Sequence, residues 1–470
     1  MELLYGSIRD YAWGSRSAIA ELQGRPVPSA GPEAELWLGA HPGGPATVDR
    51  GGERMSLTDL LVAEPDHWLG DQVVGRFGTR LPFLLKVLAA EAPLSLQAHP
   101  DAEQARAGYA AEQACAGQAE AGRPEAGQPR AGSPAGQARA GSPAGQAEAG
   151  QPEAGQAEAG RAGVGSGTGV GRPGTAAEAG HAGTAAGAGH AGTVAGAGRG
   201  GRPRNYVDPY HKPELLVALT PFDALCGFRD PEVSATALAG FGVPELSPVV
   251  AALRAGPAGL REAVRTLLTW PDADRARLIG AVRTADVTGP DADLARELAD
   301  RYPADPGVLV ALLLHHVRLT PGEAIWMPAG NLHAYLRGCG VEIMAASDNV
   351  LRGGLTPKHV DVDELLRVLC FEVLDDPVIA ARPVASGVVR WPVPVDDFAL
   401  HRVTVEASGP EVRLPLPGPR VVFCHSGKVA VDDGVGAVML GPGQAAVGTA
   451  AATALVVSGT GAAFVASCGI

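Results

Sequence analysis

Apolar residues follow a strand-like pattern at both ends of the chain and a helical pattern in its middle. The short apolar run Ala324–Met327 lies between two turns rich in Gly and Pro, which is typical of a β-strand. Between residues 230 and 316, Leu260, Val264, Leu267 and Leu268 recur on one helical face. The pattern therefore predicts a helical subdomain between two β-rich parts.

Further apolar runs predict strands on both sides of the helical part. Residues 35–39 (ELWLG) read as a strand, and residues 81–88 (LPFLLKVL) form either a buried strand or a short core helix. Lys86 inside that run must reach water or face a polar cavity. After a short predicted helix at 363–374, strands at 400–405, 411–416, 420–424, 428–431, 437–440, 454–457 and 462–466 indicate a β-sandwich or jelly roll.

The composition changes between residues 107 and 204, where Ala, Gly, Pro, Gln, Glu and Arg dominate. Near-identical nonapeptides recur there, such as AGSPAGQAR at 131–139 and AGSPAGQAE at 140–148. Because the segment has almost no large apolar residue, it cannot bury enough surface to offset the entropy of ordering it. We predict a disordered surface insertion without helix, and we do not expect its repeat residues His181 and His190 to bind metal.

Length, charge and cysteine content bound the class of protein. A chain of 470 residues predicts two or three domains, and a formal net charge of −13 disfavours a general nucleic-acid binder. No apolar run approaches the roughly 18 residues needed to span a bilayer. The first residues show no signal-peptide pattern, and the six cysteines form no CxxC pair. These features predict a soluble cytoplasmic protein with free thiols.

Three separated segments offer ligands for a metal ion. In a strand within residues 94–101 (LSLQAHPD), Gln97 and His99 point to the same face because side chains alternate. Glu214 stands at a predicted strand start, and His333 comes just after a Gly/Pro turn. Two imidazoles, a carboxylate and an amide oxygen suit zinc with an open position for water or substrate. Spacing alone does not bring the three segments together.

Four motifs resemble those of the type I phosphomannose isomerases, a family of zinc-dependent cupins. They are LSLQAHPD at 94–101, YHKPELLVALTPFDALCGFR at 210–229, MPAGNLHAYL at 327–336 and MAASDNVLRGGLTPKH at 344–359. The resemblance implies a mainly β fold with an α-helical insert. Its parts are a catalytic cupin-type jelly roll (1–106, 205–229 and 317–382), the long disordered insertion (107–204), a helical subdomain (230–316) and a second, C-terminal jelly roll (383–470).

The resemblance also implies the site residues. It makes Gln97, His99, Glu214 and His333 the ligands of one zinc ion per chain and Arg352 the catalytic arginine. The family's sugar-phosphate pocket corresponds here to Trp13, Lys86, Ser95, Lys212, Tyr335, Glu342, Asp348 and Lys358, with Lys86 and Lys358 as candidates for binding phosphate. The long insertion departs from the family pattern. Because loop closure depends only weakly on length, we expect the site to persist.

The implied reaction is the reversible aldose–ketose isomerisation of D-mannose 6-phosphate and D-fructose 6-phosphate through an enediol, which feeds mannose and GDP-mannose metabolism. Zinc would stabilise the charge that develops on the C1 and C2 oxygens, with Arg352 beside it. The base at C2 stays open between Glu342, Lys212 and a metal-activated hydroxide. We expect a monomer whose partner is a small sugar phosphate, without nucleic acid or membrane.

Three other functions share parts of this pattern. A cupin dioxygenase usually holds iron with two His and one carboxylate, so Gln97 and the cations available for phosphate argue against it. A bifunctional isomerase–guanylyltransferase needs a Gly-rich nucleotide loop, which the start of the chain does not show. A non-catalytic sugar-phosphate-binding cupin would lose metal ligands or Arg352, whereas the chain has all five residues.

Overall fold

The computed structural model describes residues 1–121 and 204–470, and the strands of these residues form two large sheets. In chain order the strands are β1 Glu2–Tyr5, β2 Ser7–Arg9, β3 Glu35–Leu38, β4 Thr47–Arg50, β5 Glu53–Ser56, β6 Phe83–Ala90, β7 Leu96–Ala98, β8 Glu214–Ala218, β9 Phe222–Phe228, β10 Leu314–Leu319, β11 Ala324–Met327, β12 His333–Ala345, β13 Leu351–Gly354, β14 Val378–Ile379, β15 Arg382–Ala385, β16 Val388–Arg390, β17 Ala399–Val405, β18 Val412–Pro415, β19 Arg420–Asp432, β20 Ala437–Leu440, β21 Ala445–Gly448 and β22 Ala454–Ser467.

The helices are concentrated between β9 and β10. They are α1 Ala18–Leu22, α2 Leu57–Ala63, α3 Pro65–Trp68, α4 Gly70–Phe77, α5 Ala102–Ala121, α6 Pro231–Gly240, α7 Ser247–Arg254, α8 Pro257–Leu268, α9 Asp272–Thr284, α10 Pro290–Arg301, α11 Gly307–Ala311 and α12 Val362–Val368. Within the described part of the chain, none of them is both long and apolar enough to cross a membrane.

The strands that carry the predicted site form the first jelly roll, in which β12 belongs to two layers. One layer has the order β14-β11-β8-β12-β6-β3-β2, and the other joins β10, β9, β12, β7 and β13. The first residues of β12 pair with β7 and β9, and its later residues pair with β6 and β8. The bend of β12 therefore places side chains of both layers opposite one another.

Alternation along β6 decides between the two interpretations of residues 81–88, which form a strand. Phe83, Leu85 and Val87 pack into a core shared with the second sheet. Lys86 points the other way, into the interior of the first jelly roll, where it lines a cavity. The sequence prediction that Lys86 faces either water or a polar cavity is thus resolved in favour of the cavity.

The second sheet has the order β15-β16-β17-β22-β19-β21-β1-β4-β5, and β18 and β20 pair with β22 and β19. Its last three strands come from the N-terminal part of the chain, which the sequence prediction assigned to the catalytic domain (1–106). They join here because β1 pairs with the open edge of β21 and because Leu4 and Val48 extend the same apolar core. The C-terminal jelly roll is therefore completed by N-terminal residues.

The helical subdomain packs its predicted apolar face inward. Leu260, Val264 and Leu267 belong to one buried cluster with residues of the first jelly roll, among them Leu96 and Leu355. This cluster fixes the subdomain against the segments that carry the predicted site. The subdomain ends earlier than the predicted residue 316, since β10 already begins at Leu314 to pair with β9.

Two predicted boundaries in helices are wrong. The insertion was predicted to begin at 107 without helix, whereas α5 continues to Ala121, because Ala-rich sequence favours helix and because Gly108 lies against the ring of Tyr206. Residues 122–203 of the predicted insertion, His181 and His190 included, lie outside the described ones. The helix predicted at 363–374 ends at Val368, after which Phe371 stacks on Phe228 and Val373 bridges to it.

Two pairs of predicted C-terminal strands are continuous. The predicted strands 420–424 and 428–431 are both part of β19, and 454–457 and 462–466 are both part of β22. The Gly residues between them are compatible with pairing because a register shift between Cys424 and Ser426 absorbs the irregularity. Gly427 faces Thr460 so closely that a Cβ would come within 2.0 Å of its carbonyl oxygen.

Candidate metal centre and substrate pocket

Three strands bring the predicted metal ligands to one point inside the first jelly roll. Gln97 lies in β7 and His99 directly follows that strand, so the two side chains share a face. His333 opens β12 opposite Gln97, and Glu214 opens β8 opposite Met344 of the same β12. The N–H of Gly330, in the turn before His333, donates to the carbonyl oxygen of His99 at 2.8 Å. The turn and the two sheet layers together fix the ligand positions.

His99, Glu214 and His333 form a buried cluster. Their side-chain ligand atoms all lie within 4.8 Å of one another, and each residue is at most 3% exposed. The Glu214 carboxylate lies 3.4 Å from Nε2 of His99 and 3.2 Å from Nε2 of His333. One carboxylate therefore faces both imidazoles at a separation that leaves room for an ion among them.

Hydrogen bonds fix the orientation of both imidazoles. Nδ1 of His99 donates to the carbonyl oxygen of Asn349 at 2.7 Å, and Nδ1 of His333 donates to that of Asn331 at 3.1 Å. Each Nε2 is therefore the ring nitrogen that faces the Glu214 carboxylate. Both Nε2 atoms are buried, and neither has a hydrogen-bond partner among the residues that the structure describes.

These orphaned nitrogens fit a bound cation. A buried polar atom without a partner is unfavourable, and a metal ion satisfies the imidazole lone pairs. Burial lowers the pKa of His99 to about 4, which keeps the ring neutral. Burial opposes ionisation of Glu214, but His99 and Lys212 outweigh it and hold the pKa of this carboxyl well below its usual range. Two imidazoles and one carboxylate are a donor set suited to a divalent metal.

Next to this cluster lies a buried network of charged groups. Lys86 Nζ is 3.2 Å from Glu342 and 3.6 Å from Glu35, and Lys86 is directly opposite Glu342 in the register of β6 and β12. The hydroxyl of Tyr335 donates to Glu342 at 2.6 Å. Trp37 Nε1 donates to Glu35 at 2.7 Å. Two carboxylates therefore hold one ammonium group inside the barrel.

The network shifts the titration of its members. Burial alone would lower the pKa of Lys86, but Glu35, Glu342 and Glu214 outweigh it and raise this pKa, so Lys86 stays an ammonium ion. Burial raises the pKa of Glu342 although Lys86 lies beside it. A buried carboxyl whose pKa is raised towards neutrality is suited to accept and return a proton.

A cavity of about 680 Å³ opens above the metal cluster and the charged network. All eight residues predicted for the pocket line it, together with Gln97, Glu214 and Arg352; the eight are Trp13, Lys86, Ser95, Lys212, Tyr335, Glu342, Asp348 and Lys358. This volume is in the range of pockets that enclose a small molecule. The structure therefore brings these residues to one place, and His99 and His333 lie beside Glu214 without lining the cavity themselves.

Two cations of the cavity, Arg352 and Lys358, are available for an anion. Arg352 stands opposite Gln97 in the pairing of β13 with β7. Burial lowers the pKa of Arg352, and burial together with Arg352 lowers the pKa of Lys358. Among the side chains that the structure describes, no carboxylate lies within 4.0 Å of either cation. Cations without an acidic partner favour a bound anion.

Asn349 connects the ligand segments from behind. It is fully buried, and besides accepting from His99 its side chain binds the segment that precedes Lys212 and Glu214. Oδ1 accepts from the N–H of Val207 at 2.7 Å and of Asp208 at 3.2 Å, and Nδ2 donates to the carbonyl oxygens of Asp208 at 2.7 Å and Tyr210 at 2.8 Å. The side-chain amide thus ties Asn349 to residues 207–210, and its backbone carbonyl ties it to His99.

Comparisons with known proteins identify the family of this chain. A family model for the phosphomannose isomerase type I catalytic domain matches residues 1–127 and 194–231. The mannose-6-phosphate isomerase of Escherichia coli (strain K12) is 32% identical over 469 residues, with 98% of both chains covered. The chain belongs to the type I phosphomannose isomerases.

Solved phosphomannose isomerases share this fold. A crystal structure of a mutant enzyme from Salmonella typhimurium matches with a TM-score of 0.76 at 29% identity and covers 100% of both chains. A crystal structure of mannose 6-phosphate isomerase bound with zinc and yttrium matches with a TM-score of 0.74 at the same identity. The prediction of a mainly β cupin-type phosphomannose isomerase is confirmed.

Sequence reasoning missed several residues that line the pocket of this phosphomannose isomerase. They are Tyr11, Glu35, Trp37, His41, Arg301 and Tyr302. A signal existed for Glu35, because an acid in a short apolar strand needs a buried partner. His41 is held by Asp348 at 2.7 Å, a contact between distant segments that no local pattern reveals. Arg301 and Tyr302 end α10 and reach the pocket only through the packing of the helical subdomain.

Proposed function

We propose that this phosphomannose isomerase interconverts D-mannose 6-phosphate and D-fructose 6-phosphate with one zinc ion per chain. The main observation is the buried His99–Glu214–His333 cluster, in which two Nε2 atoms have no hydrogen-bond partner among the described residues. Glu214 of this cluster lines a cavity that also presents Arg352 and Lys358. A metal-binding end and an anion-binding wall in one cavity suit a small phosphorylated substrate. Family membership supports the isomerase activity.

Gln97, His99, Glu214 and His333 are the residues that would hold the zinc ion. The buried donor set supports this choice, as does a solved relative bound with zinc and yttrium. When bound, zinc supplies a Lewis acid that stabilises negative charge developing on sugar oxygens. The two imidazoles would hold the ion in a fixed place, because each is held by a backbone carbonyl.

The substrate phosphate is assigned to Lys358. Lys358 lies on the cavity wall, and no carboxylate among the described side chains lies within 4.0 Å of it, so it is free to pair with phosphate. Lys86 is placed differently from the other phosphate candidate, because Glu35 and Glu342 already hold its ammonium group. We assign Lys86 to a sugar hydroxyl, with Trp13 and Ser95 on the neighbouring wall.

Glu342 is proposed as the group that moves the proton between C2 and C1. It lines the cavity, its raised pKa allows it to take a proton, and the hydroxyl of Tyr335 orients it. Lys212 lies 3.4 Å from Glu214 and is held by that ligand carboxylate. Arg352 is placed to stabilise the enediolate because guanidinium remains cationic throughout. The proton that leaves C2 is thus returned at C1 by the same carboxyl group.

We infer a monomer in the cytoplasm that supplies mannose metabolism and GDP-mannose synthesis. The six cysteines, all free thiols, support a reducing compartment. The acidic net charge of −13 supports a small-molecule substrate rather than nucleic acid.

A coupled assay tests the proposed function. Metal-stripped protein is supplied with mannose 6-phosphate, with and without added zinc, and fructose 6-phosphate is measured for wild type, Arg352→Ala and the surface control Arg283→Ala. We expect zinc-dependent turnover in wild type and in the control, and its loss in Arg352→Ala. Substrate binding without turnover under any divalent metal would instead assign the chain to the non-catalytic sugar-phosphate-binding cupins.

A further inference from the structure

The backbone of Leu355 has an unusual conformation beside the substrate pocket. Its φ is 54°, and it is the only residue other than glycine with positive φ in the described part of the chain. Left-handed backbone is unfavourable for a residue with a Cβ, so surrounding contacts must maintain it. Leu355 lines the cavity and is 1% exposed, with its side chain in the core of the helical subdomain.

Asp305 provides those contacts from the helical subdomain. One carboxylate oxygen accepts from the N–H of Thr356 at 2.9 Å, and the other accepts from the N–H of Gly307 at 2.7 Å. The same side chain therefore binds the residue directly after Leu355 and the start of α11. It fastens residues 354–358, called here the substrate loop, to the helical subdomain.

Two glycines allow the two backbones to meet. A Cβ on Gly307 would lie 2.6 Å from the nitrogen of Leu355, and a Cβ on Gly354 would lie 2.6 Å from Cα of Gly307. Gly354 also has a φ of 124°, which is accessible to glycine. The contact between residues 305–307 and 354–356 is thus close enough to transmit a displacement of either side.

The fastened loop carries the cation assigned to the substrate phosphate. The N–H of Lys358 donates to Oγ1 of Thr356 at 3.2 Å, so the backbone position of Lys358 depends on Thr356. Thr356 and Lys358 both line the cavity. The hydrogen bonds run from Asp305 through Thr356 to Lys358, which connects the helical subdomain to the phosphate-facing wall.

We propose that Asp305 is a positioning residue for substrate binding, which holds Leu355 in its left-handed conformation and so places Lys358 for the phosphate. The proposal rests on the function proposed above. It predicts that loss of the Asp305 carboxylate lets Leu355 relax to right-handed backbone and moves Lys358 away. Arg352 keeps its place because β13 remains paired with β7. Phosphate affinity should therefore fall while turnover at saturation persists.

The test compares zinc-loaded wild type with Asp305→Ala, Asp305→Asn and Asp300→Ala. Asp305→Asn keeps one acceptor oxygen and serves as the folded variant if Asp305→Ala fails to fold. Asp300→Ala is the control, because Asp300 pairs with Arg283 on the surface of the same subdomain. We expect Asp305→Ala to raise KM for mannose 6-phosphate and the inhibition constant of inorganic phosphate in parallel, each by roughly tenfold, with kcat within about threefold. Asp305→Asn should lie between, and the control should match wild type.

A second substitution distinguishes positioning from simple loss of stability. Glycine adopts positive φ freely, so adding Leu355→Gly to Asp305→Ala should bring KM back towards wild type even though the melting temperature falls further. Unchanged KM and phosphate inhibition in both Asp305 variants would overturn the proposal, as would a KM that follows melting temperature through all variants. Calorimetric binding of mannose 6-phosphate separates the positioning role from the proposed isomerase activity. If the protein shows no turnover but the Asp305 variants bind the sugar phosphate more weakly than wild type, the positioning role is supported and the isomerase is rejected. If wild type neither binds nor turns over the sugar phosphate, both proposals are rejected.

Discussion

Lys86 illustrates how sheet register and charge together define one residue of the site. It stands opposite Trp37 on β3 and opposite Glu342 on β12, so three strands present their interior side chains in one row. The row places an ammonium group between two carboxylates and below an indole ring, whose centre lies 5.4 Å from Nζ. Because the cation is fixed on all sides, it can hold a sugar hydroxyl without moving.

Glu342→Gln tests the assigned proton carrier. We expect kcat to fall by roughly 10²- to 10⁴-fold, because an amide cannot accept the C2 proton, while zinc content stays unchanged. In wild type, kcat/KM should fall on the acid side as Glu342 takes up a proton, and since burial raises its pKa this fall should lie above the usual carboxyl range. Steady-state rates across pH, with surface Glu297→Gln as the control, measure both effects. A variant that keeps wild-type kcat would remove Glu342 from the role.

Asn349→Ala tests the support behind the metal ligands. The change leaves backbone groups of residues 207–210 without partners, so we expect the free energy of unfolding to fall by roughly 2–4 kcal/mol. Looser His99 and Glu214 segments should weaken zinc binding by roughly 10- to 100-fold. Competition with a chelator measures the zinc affinity. Asn205→Ala, which loses a side-chain bond to Asp361 away from the metal, should keep it, and equal affinity in both variants would contradict the supporting role.

At the scale of elements, the local sequence pattern predicted which residues form strands more reliably than where each strand begins and ends. Alternation correctly placed Gln97 and His99 on one face, because the side-chain period in a strand does not depend on partners. The continuity of β19 and β22 was not predictable, since their central glycines are accommodated only by pairing with each other. The predicted site residues came from the four motifs shared with the family. The contact between His41 and Asp348 depends on tertiary packing, which no single segment encodes.

Strand β17 carries a buried histidine that predicts acid sensitivity of the C-terminal sheet. Burial, with Arg390 nearby, lowers the pKa of His401 to about 4. In the unfolded chain His401 has the ordinary histidine pKa of about 6.5, so between these two pKa values the unfolded chain binds more protons and stability falls as pH falls. His401→Gln should therefore reduce the loss of unfolding free energy between pH 7 and pH 5 by about 2 kcal/mol. Urea unfolding of the metal-free protein at pH 7 and pH 5 measures the free energy of unfolding. In the control His67→Gln, an exposed histidine, this free energy should depend on pH as in wild type.

At the scale of the whole molecule, the two jelly rolls share their supports. The N-terminal strands complete the C-terminal sheet, and side chains of β6, β8 and β12 pack into one core with β19 and β22. The outer faces of the strands that carry the site are thus buried against the second jelly roll, while their inner faces carry Lys86, Glu214 and Glu342. The helical subdomain supports the pocket from another side through Asp305.

Residues 108–112 and 205–206, which lie on the two sides of the undescribed part of the chain, contact each other. Oε1 of Glu112 on α5 accepts from the N–H of Asn205 at 2.9 Å, and the ring of Tyr206 lies against Gly108. A Gly/Ser linker of about eight residues in place of residues 117–203 can therefore close the gap without disturbing either anchor. Because loop closure depends only weakly on length, this deletion should leave zinc content unchanged and kcat/KM within about threefold of wild type.

A longer deletion gives the matched comparison. Replacing residues 109–205 by the same linker also removes Glu112 and Asn205, so the segment that Asn349 holds loses its outer anchor. We expect this second variant to bind zinc more weakly, because residues 207–210 lead directly to Lys212 and Glu214. Activity and zinc content of both variants measure the difference. If the first deletion already abolished turnover in a folded, zinc-loaded protein, residues 117–203 would have to contribute to the pocket itself.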